Sequence, residues 1–344
     1  LERTRKVSNM QQPAKTPPSF GADPHSMDRS LTLEAIRVTE AAALEASMQI
    51  GRGDEKEADR AAVDAMRKAL NTLAIQGRVV IGEGERDEAP MLYIGEEVGT
   101  GEGPLVDIAL DPLEGTTITA KGGQNALAVL AIGDQGSFLH APDVYMQKLA
   151  AGPDVELTPD DFDAPIEKTL QKVASAKLMD VRDLMVCILD RPRHQALIQS
   201  VRDAGARIML IQDGDVSAVI STADPDRGID LYVGTGGAPE GVLAAAALQC
   251  MGGNILGRLV FRNDGERARA EKAGIRDLNR IYTLNDLSRG DNVMFAATGV
   301  TEGTMLPGVR RFSGGAITHS VVMRSKSGTI RRIESRHDFK RKPV

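Results

Sequence analysis

Tryptophan is absent from this chain of 344 residues, and aromatic residues make up only 3% of it. Stacking platforms for single-stranded nucleic acid are therefore not expected. Positive charge is not in excess either. The formal net charge is -6, so no global basic field points to nucleic acid. Only two cysteines occur, Cys187 and Cys250, each within an apolar stretch. They read as small buried hydrophobes rather than reactive thiols, and such sparse usage fits a reducing compartment. No apolar run is long enough to span a bilayer, and the polar, proline-containing start lacks the apolar core of a secretory signal. The histidines, at 25, 140, 194, 319 and 337, keep no metal-ligand spacing. These absences lead to the expectation of a cytoplasmic protein without nucleic-acid or membrane partners. Its length allows two domains or one large layered one.

What the chain does have is carboxylates set between glycines at the ends of apolar runs. The clearest case is Val106-Asp-Ile-Ala-Leu-Asp-Pro-Leu-Glu-Gly-Thr-Thr117. It reads as a buried strand that Pro112 stops for want of an N–H. Gly115 then allows close backbone approach to a ligand. Asp111 and Glu114 at the strand's end are hard oxygen donors suited to magnesium or manganese, and Thr116 offers a phosphate contact. A polar turn with a capping residue explains the same stretch equally well.

In chain order, residues 1–28 read as a flexible arm. Helices are expected over 30–50 and about 57–75, the second with Asp59 in its first turn, where the helix dipole alone would suit it. A short strand, 77–82, runs into the acidic turn Glu83-Gly-Glu-Arg-Asp-Glu88. Strands follow at 105–111, at 125–133 with a hairpin near 134–136, and at 143–150, which includes Tyr145. The Pro- and Asp-rich 152–164 reads as a boundary. It divides the chain into the arm 1–28, an N-terminal α+β half 29–152, a C-terminal α/β half 153–337, and a basic tail 338–344. The second half alternates helix 165–178, strand 184–190, helix 193–204, strand 207–211, a helix to about 222, strand 229–233 and helix 239–251. Terminal strands are expected at 291–298, 316–324 and 328–335. Ligand-like clusters sit where strand ends meet helix starts, the usual binding edge of an open α/β sheet.

Asp59, Glu83, Asp111, Glu114 and Glu240 compete for a metal role, though scattered spacing alone cannot make them converge. Ions that assist phosphate-ester cleavage need several hard oxygen ligands, and a pair of ions clamps both ends of an in-line displacement. The turn Gly234-Thr-Gly-Gly-Ala-Pro-Glu-Gly241 is neither a P-loop nor a dinucleotide fingerprint. Pro239 marks it as a helix start, whose free amides can face an anion. Arg191 and Arg193, held apart by Pro192, suit a distal phosphate or form a surface pair. Asp213 and Asp215, around Gly214, offer acceptors to sugar hydroxyls or form an ordinary Asp-Gly turn. Tyr145 reads first as a core residue.

Taken together the motifs resemble the class II fructose-1,6-bisphosphatases, the GlpX type, including members that also act on sedoheptulose 1,7-bisphosphate. The resemblance is carried in order by Gly51-Arg-Gly-Asp with Glu57-Ala-Asp59, Val80-Ile-Gly-Glu-Gly-Glu85 with Asp87-Glu-Ala-Pro-Met-Leu-Tyr-Ile-Gly95, and Asp111-Pro-Leu-Glu-Gly-Thr116. Asp143-Val-Tyr-Met146, Arg191-Pro-Arg-His194, Asp213-Gly-Asp-Val216 and Gly236-Gly-Ala-Pro-Glu-Gly-Val242 continue it. It implies an α/β fold, a layered α/β/α/β/α sandwich of the lithium-sensitive phosphatase type. It also implies hydrolysis of the 1-phosphate of fructose 1,6-bisphosphate, a step of gluconeogenesis or the Calvin cycle, with two ions of Mn2+ or Mg2+. Asp59 and Glu83 would hold one ion, and Asp111, Glu114 and Glu240 the other. Asp59, Glu83, Asp111 and Thr116 would carry catalysis. Glu114, Gly115, Thr116, Tyr145, Arg191, Pro192, Arg193, Asp213, Gly214, Asp215 and Gly237 would contact substrate. The resemblance further implies a homo-oligomer, dimer or tetramer. Glu55-Lys56 departs from the lysine usual directly after Gly-Asp in the first motif. An inositol-monophosphatase-like activity and a catalytically silent sugar-phosphate sensor are the rival readings.

Overall fold

The computed structural model describes residues 27, 29–84 and 91–341. The rest of the expected arm 1–28, residues 85–88 of the acidic turn and the end of the basic tail lie outside the described residues. Helix α1 (Arg29–Ala46) is followed by a short 3-10 turn and then α2 (Glu55–Leu70). Asp54 caps α2 by accepting from the Glu57 amide at 3.0 Å, and Glu55 and Glu57 are the acids of its first turn. The helix therefore starts earlier than expected. Asp59 falls in its second turn, where the dipole no longer accounts for it. Next come β1 (Gln76–Ile81), β2 (Glu97–Val98), β3 (Leu105–Glu114), α3 (Thr116–Lys121), β4 (Leu127–Asp134) and β5 (Tyr145–Ala151). The α/β alternation follows as α4 (Pro159–Phe162), α5 (Ile166–Lys177), β6 (Met185–Leu189), α6 (Gln195–Asp203), β7 (Arg207–Ile211), α7 (Asp215–Ser221), β8 (Leu231–Gly237) and α8 (Ala238–Met251). Sequence patterning missed β9 (Asn254–Val260) and α9 (Asp264–Lys272), and after β10 (Tyr282–Thr283) and α10 (Leu284–Leu287) the chain ends in β11 (Val293–Gly299), β12 (Arg310–Phe312), β13 (Gly315–Arg324) and β14 (Thr329–Asp338).

Among the described residues the strands form two sheets. One runs β12-β13-β11-β4-β3-β1-β2 with β14 on β13, and the other runs β10-β9-β5-β8-β6-β7. Helices α1 and α2 cover the outer face of the first sheet, and α5 and α6 cover that of the second. Between the sheets lies α8, packed on β3, β4 and β11 of one and on β5, β8 and β9 of the other. The layers are α/β/α/β/α. The sequence of α8 explains its place. A helix apolar on every side has no solvent face to offer, and its run of alanines lets both sheets come close.

Three expectations are corrected here. Pro112 does not end its strand: β3 continues to Glu114 through an irregularity in which register with β4 shifts between Asp111 and Glu114. A bulge tolerates a residue without an N–H, and the Asp111 Oδ1 closes it by accepting from the Leu113 amide at 3.0 Å. The chain makes no hairpin near 134–136 with the following strand, because β4 pairs with β3 and β11 while β5 already belongs to the second sheet. The segment 152–164 does not separate the sheets, since β11–β14 return to the first. The basic end is partly engaged: Arg332 pairs with Asp224 at 2.5 Å, and Arg336 stacks on Phe312. Both cysteines are buried, and burial pushes each thiol up to about 12. Among the described residues no helix is long and apolar enough to cross a membrane.

Phe295, on the central strand β11, is fully buried between the sheets. Phe295→Ala is expected to lower stability by about 3–5 kcal/mol through the cavity it leaves. Urea denaturation checks this, and an unchanged midpoint would contradict the packing described.

Candidate active site

A cavity of about 460 Å³ opens where the ends of β1, β3, β6, β7 and β8 meet the loops and helices that follow them. Its walls include Asp59, Glu83, Asp111, Glu114, Gly115, Thr116, Tyr145, Arg191, Arg193, Asp213, Asp215, Gly237 and Glu240. Residues scattered over the sequence thus share one space. Pro192 and Gly214 lie next to lining residues but do not line the cavity. Pro192 opens the tight turn that separates the two arginines, and Gly214 takes φ 83° at the start of α7, a conformation that favours glycine. Glu55 and Lys56 are exposed on α2 and do not line the cavity.

The acidic wall is held against its own repulsion. Burial, then Glu240, Asp59 and Asp213, push the Asp111 carboxyl up to about 8. Burial and then Asp111, Asp59 and Glu240 raise Glu83 well above the ordinary carboxylate range. Glu114 is likewise raised well above that range, by burial and then by Asp215 and Asp111. Burial raises Asp59, and burial and then Asp215 raise Glu240, which Lys148 partly offsets. Glu114 Oε1 accepts from the Val216 amide at 3.0 Å. The second oxygens of Glu114 and Glu240 are buried with no hydrogen-bond partner. Buried polar atoms are almost always satisfied, so two orphaned carboxylate oxygens on one cavity, in a wall of hard oxygen donors, fit a divalent cation. Among the described residues no three acidic, histidine or cysteine side chains form a group spaced to hold a metal ion. The donors are spread along a wall rather than closed into a cage.

Glycine is required at the start of α8. A Cβ on Gly237 would lie 1.8 Å from Glu240 Oε2, and one on Gly236 would lie 2.0 Å from Asp215 Oδ2. Asp215 is not free to serve a ligand with both oxygens. Its Oδ2 accepts from Lys148 Nζ at 2.5 Å and from the Tyr232 hydroxyl at 3.2 Å. Lys148 also donates to the Gly237 carbonyl at 2.9 Å. Burial raises the Asp213 carboxyl, and Arg191 partly counters that. Arg193 donates to the Thr235 carbonyl from Nε at 3.1 Å and Nη2 at 2.6 Å, and lies over the Tyr145 ring. His194, next to the arginines, is buried and faces the backbone. Its Nε2 accepts from the Thr235 amide at 2.8 Å, so Nδ1 carries the proton and donates to the Leu189 carbonyl at 2.7 Å. It clamps β6 to β8 and offers nothing to an anion.

Comparison with known families decides what this geometry belongs to. The family described as bacterial fructose-1,6-bisphosphatase, glpX-encoded, matches residues 29–337. The chain belongs to that family. It is 49% identical over 329 residues to fructose-1,6-bisphosphatase 1 class 2 of Escherichia coli strain K12, covering 92% of this chain and 97% of that protein. The same identity and coverage hold for the class 2 fructose-1,6-bisphosphatases of Escherichia coli O6:H1 and of Shigella flexneri. Within this GlpX-family chain, sequence reasoning assigned no role to three residues in or beside the cavity. Lys148 was legible as a lone lysine in an apolar strand, which almost always needs a buried partner. Asp143 lines the cavity just before β5. Arg262 shares the Tyr145 ring with Arg193, and no local pattern marks it.

Burial first, then the nearby Arg193 and Arg191, hold the His194 pKa below 6.5. The folded state keeps this ring neutral while the unfolded chain takes up a proton near 6.5, so the stabilisation is present above that pH and is lost as pH falls below it. Urea denaturation between pH 7 and 5 is expected to show a shallower loss of stability for His194→Gln than for the native chain. Identical slopes would rule out a neutral clamp.

Proposed function

We propose that this cavity hydrolyses the 1-phosphate of fructose 1,6-bisphosphate to give fructose 6-phosphate and inorganic phosphate. Membership of the GlpX family supports the activity. The observation that carries the assignment to this site is its lining, which brings Asp59, Glu83, Asp111, Glu114 and Glu240 into one cavity with Arg191, Arg193 and Tyr145. A sugar with a phosphate at each end matches such a cavity, whereas a monophosphate leaves the arginines without a ligand. The acidic residues would hold two divalent ions, Mn2+ or Mg2+. Asp59 and Glu83 would serve one, and Asp111, Glu114 and Glu240 the other. Once bound, such ions supply Lewis-acid charge for the water that attacks phosphorus and for the departing C1 oxygen.

The chain's own residues do the rest. In the net reaction the water oxygen bonds to phosphorus as the bond from phosphorus to the C1 oxygen breaks, and the C1 oxygen ends protonated. Thr116, just after Gly115, presents its hydroxyl to orient the phosphate or the water. Arg191 and Arg193 anchor the 6-phosphate, so that binding energy far from the reacting bond positions it. Asp213 and the remaining oxygen of Asp215 accept from sugar hydroxyls, and the Gly237 backbone lines the ring's approach. The same contacts admit sedoheptulose 1,7-bisphosphate as a second substrate. The protein acts in the cytoplasm as a homo-oligomer, a dimer or tetramer.

Asp111→Asn and Glu83→Gln are each expected to lower phosphate release from fructose 1,6-bisphosphate by more than about 100-fold, beyond what loss of an outer-shell partner costs. Circular dichroism should show the fold retained, and a chelator should mimic the loss in the native chain until Mn2+ or Mg2+ is restored. Full activity in both variants would sink the site assignment. Gly237→Ala, which forces the Glu240 carboxylate aside, is expected to lower kcat by about 100-fold, the scale of a misplacement of about 1 Å. A variant with native kcat would show that Glu240 need not sit where it does.

A further inference from the structure

One cation to which the proposed reaction gives no role stands over Tyr145, a residue of the cavity wall. Tyr145 pairs in register with Gly237 of β8 on one side and with Val260 of β9 on the other. Two residues past Val260 is Arg262, whose guanidinium carbon lies 4.6 Å from the centre of the Tyr145 ring. The guanidinium carbon of Arg193 lies 4.9 Å from the same centre. Two like charges over one ring repel. The negative face of the ring offsets part of that repulsion, and each arginine is also tied to a fixed protein partner. For Arg193 the partner is the Thr235 carbonyl. For Arg262 it is Glu266, whose Oε1 accepts from Nε at 2.6 Å and lies 2.5 Å from Nη2.

Glu266 makes Arg262 a placed residue rather than a surface one. Its carboxylate is 1% exposed, and its second oxygen accepts from the Arg262 backbone amide at 2.6 Å. A single carboxylate that holds both the backbone and the guanidinium of one residue fixes where that guanidinium stands. The Arg262 side chain is nevertheless 55% exposed. Among the described residues, the Nη1 atoms of Arg193 and Arg262 have no hydrogen-bond partner. Each guanidinium thus keeps a donor beside a shared ring that lines the cavity.

We infer that Arg262 is a further residue of the distal-phosphate site, gripping a phosphate monoester dianion from the β9 side while Arg191 and Arg193 grip it from the β6 side. This rests on the assignment of the distal phosphate to Arg191 and Arg193. A dianion with three terminal oxygens can use donors from more than one direction, and guanidiniums present them in a rigid fork. Tyr145 then acts as the spacer that sets the arginines apart, and Arg262 sets the preference for substrates phosphorylated at both ends.

The test compares the native chain with Arg262→Ala and Arg193→Ala on fructose 1,6-bisphosphate and on fructose 1-phosphate, which lacks the distal group. For Arg262→Ala the ratio of kcat/KM between the two substrates is expected to fall about tenfold, mainly through KM for the bisphosphate, as loss of one charge-assisted contact predicts. Arg262→Lys should recover only part of the ratio, since an ammonium lacks the planar fork. If Arg193→Ala lowers the ratio and Arg262→Ala leaves it unchanged, the inference fails and the parent assignment stands. If neither changes it, the parent assignment fails too. An equal loss on both substrates would reduce Arg262 to a structural role and overturn the inference. Should the alanine variant unfold for want of a partner to Glu266, Arg262→Gln keeps an amide donor there and is read in the same way.

Discussion

An ion pair that water barely reaches holds the acidic wall in place. Lys148 is 1% exposed and Asp215 7% exposed, and their side chains meet at 2.5 Å. Burying two charges is costly, and removing either partner of such a pair typically costs about 3–5 kcal/mol because the other is left uncompensated. The pair joins β5 to the start of α7, and through the Gly237 carbonyl it also reaches the turn that delivers Glu240. One ammonium therefore locks three elements together and lends positive charge to a neighbourhood of carboxylates that repel one another. Its cost in desolvation gives a rigid frame for groups that must face a ligand together. The two glycines before α8 belong to the same arrangement, because side chains there would strike Asp215 and Glu240.

The balance of the layers follows from α8. A helix with no polar face would be unstable on a surface. Placed between two sheets it is covered on all sides, and its first turn is the part that emerges at the cavity. The carboxylate wall comes largely from the first sheet, through Glu83, Asp111 and Glu114, while the arginines and Asp213 come from the second. The cavity lies where the two sheets and the middle layer meet, which is why no single stretch of sequence contains it.

Much of this was legible beforehand. Carboxylate-bearing turns at strand ends pointed to Glu83 and to the Asp111 stretch, each with a structural alternative left open, and the order of the motifs along the chain carried the family resemblance. What local sequence could not supply was convergence, since Asp59 and Glu240 come to line one cavity only through tertiary packing. The Asp111 stretch also shows how a local rule gives way: Pro112 should stop a strand, yet a bulge closed by the Asp111 carboxylate carries the strand on to Glu114. Asp215 read as either an acceptor for a sugar or part of an Asp-Gly turn, and its pairing with Lys148 escaped that reading because the lysine lies far off in sequence, on β5. Arg262 escaped notice because nothing in Phe261-Arg-Asn-Asp264 differs from an ordinary helix cap. Its meaning lies in the register between β5 and β9.

The return of β11–β14 to the first sheet has a bearing on how the molecule is made. β4 pairs with β3 on one edge, and its other edge waits for β11. During synthesis, that open edge stays uncovered until the chain has been made as far as residue 293, while the whole of the second sheet is completed in between. Unpaired strand edges invite association with other chains, and pairings between distant segments form slowly. The sheet that carries Asp111 and Glu114 is thus begun early and finished late. A nascent chain of this protein passes through a long interval in which its acidic wall has been made but its supporting sheet is half built.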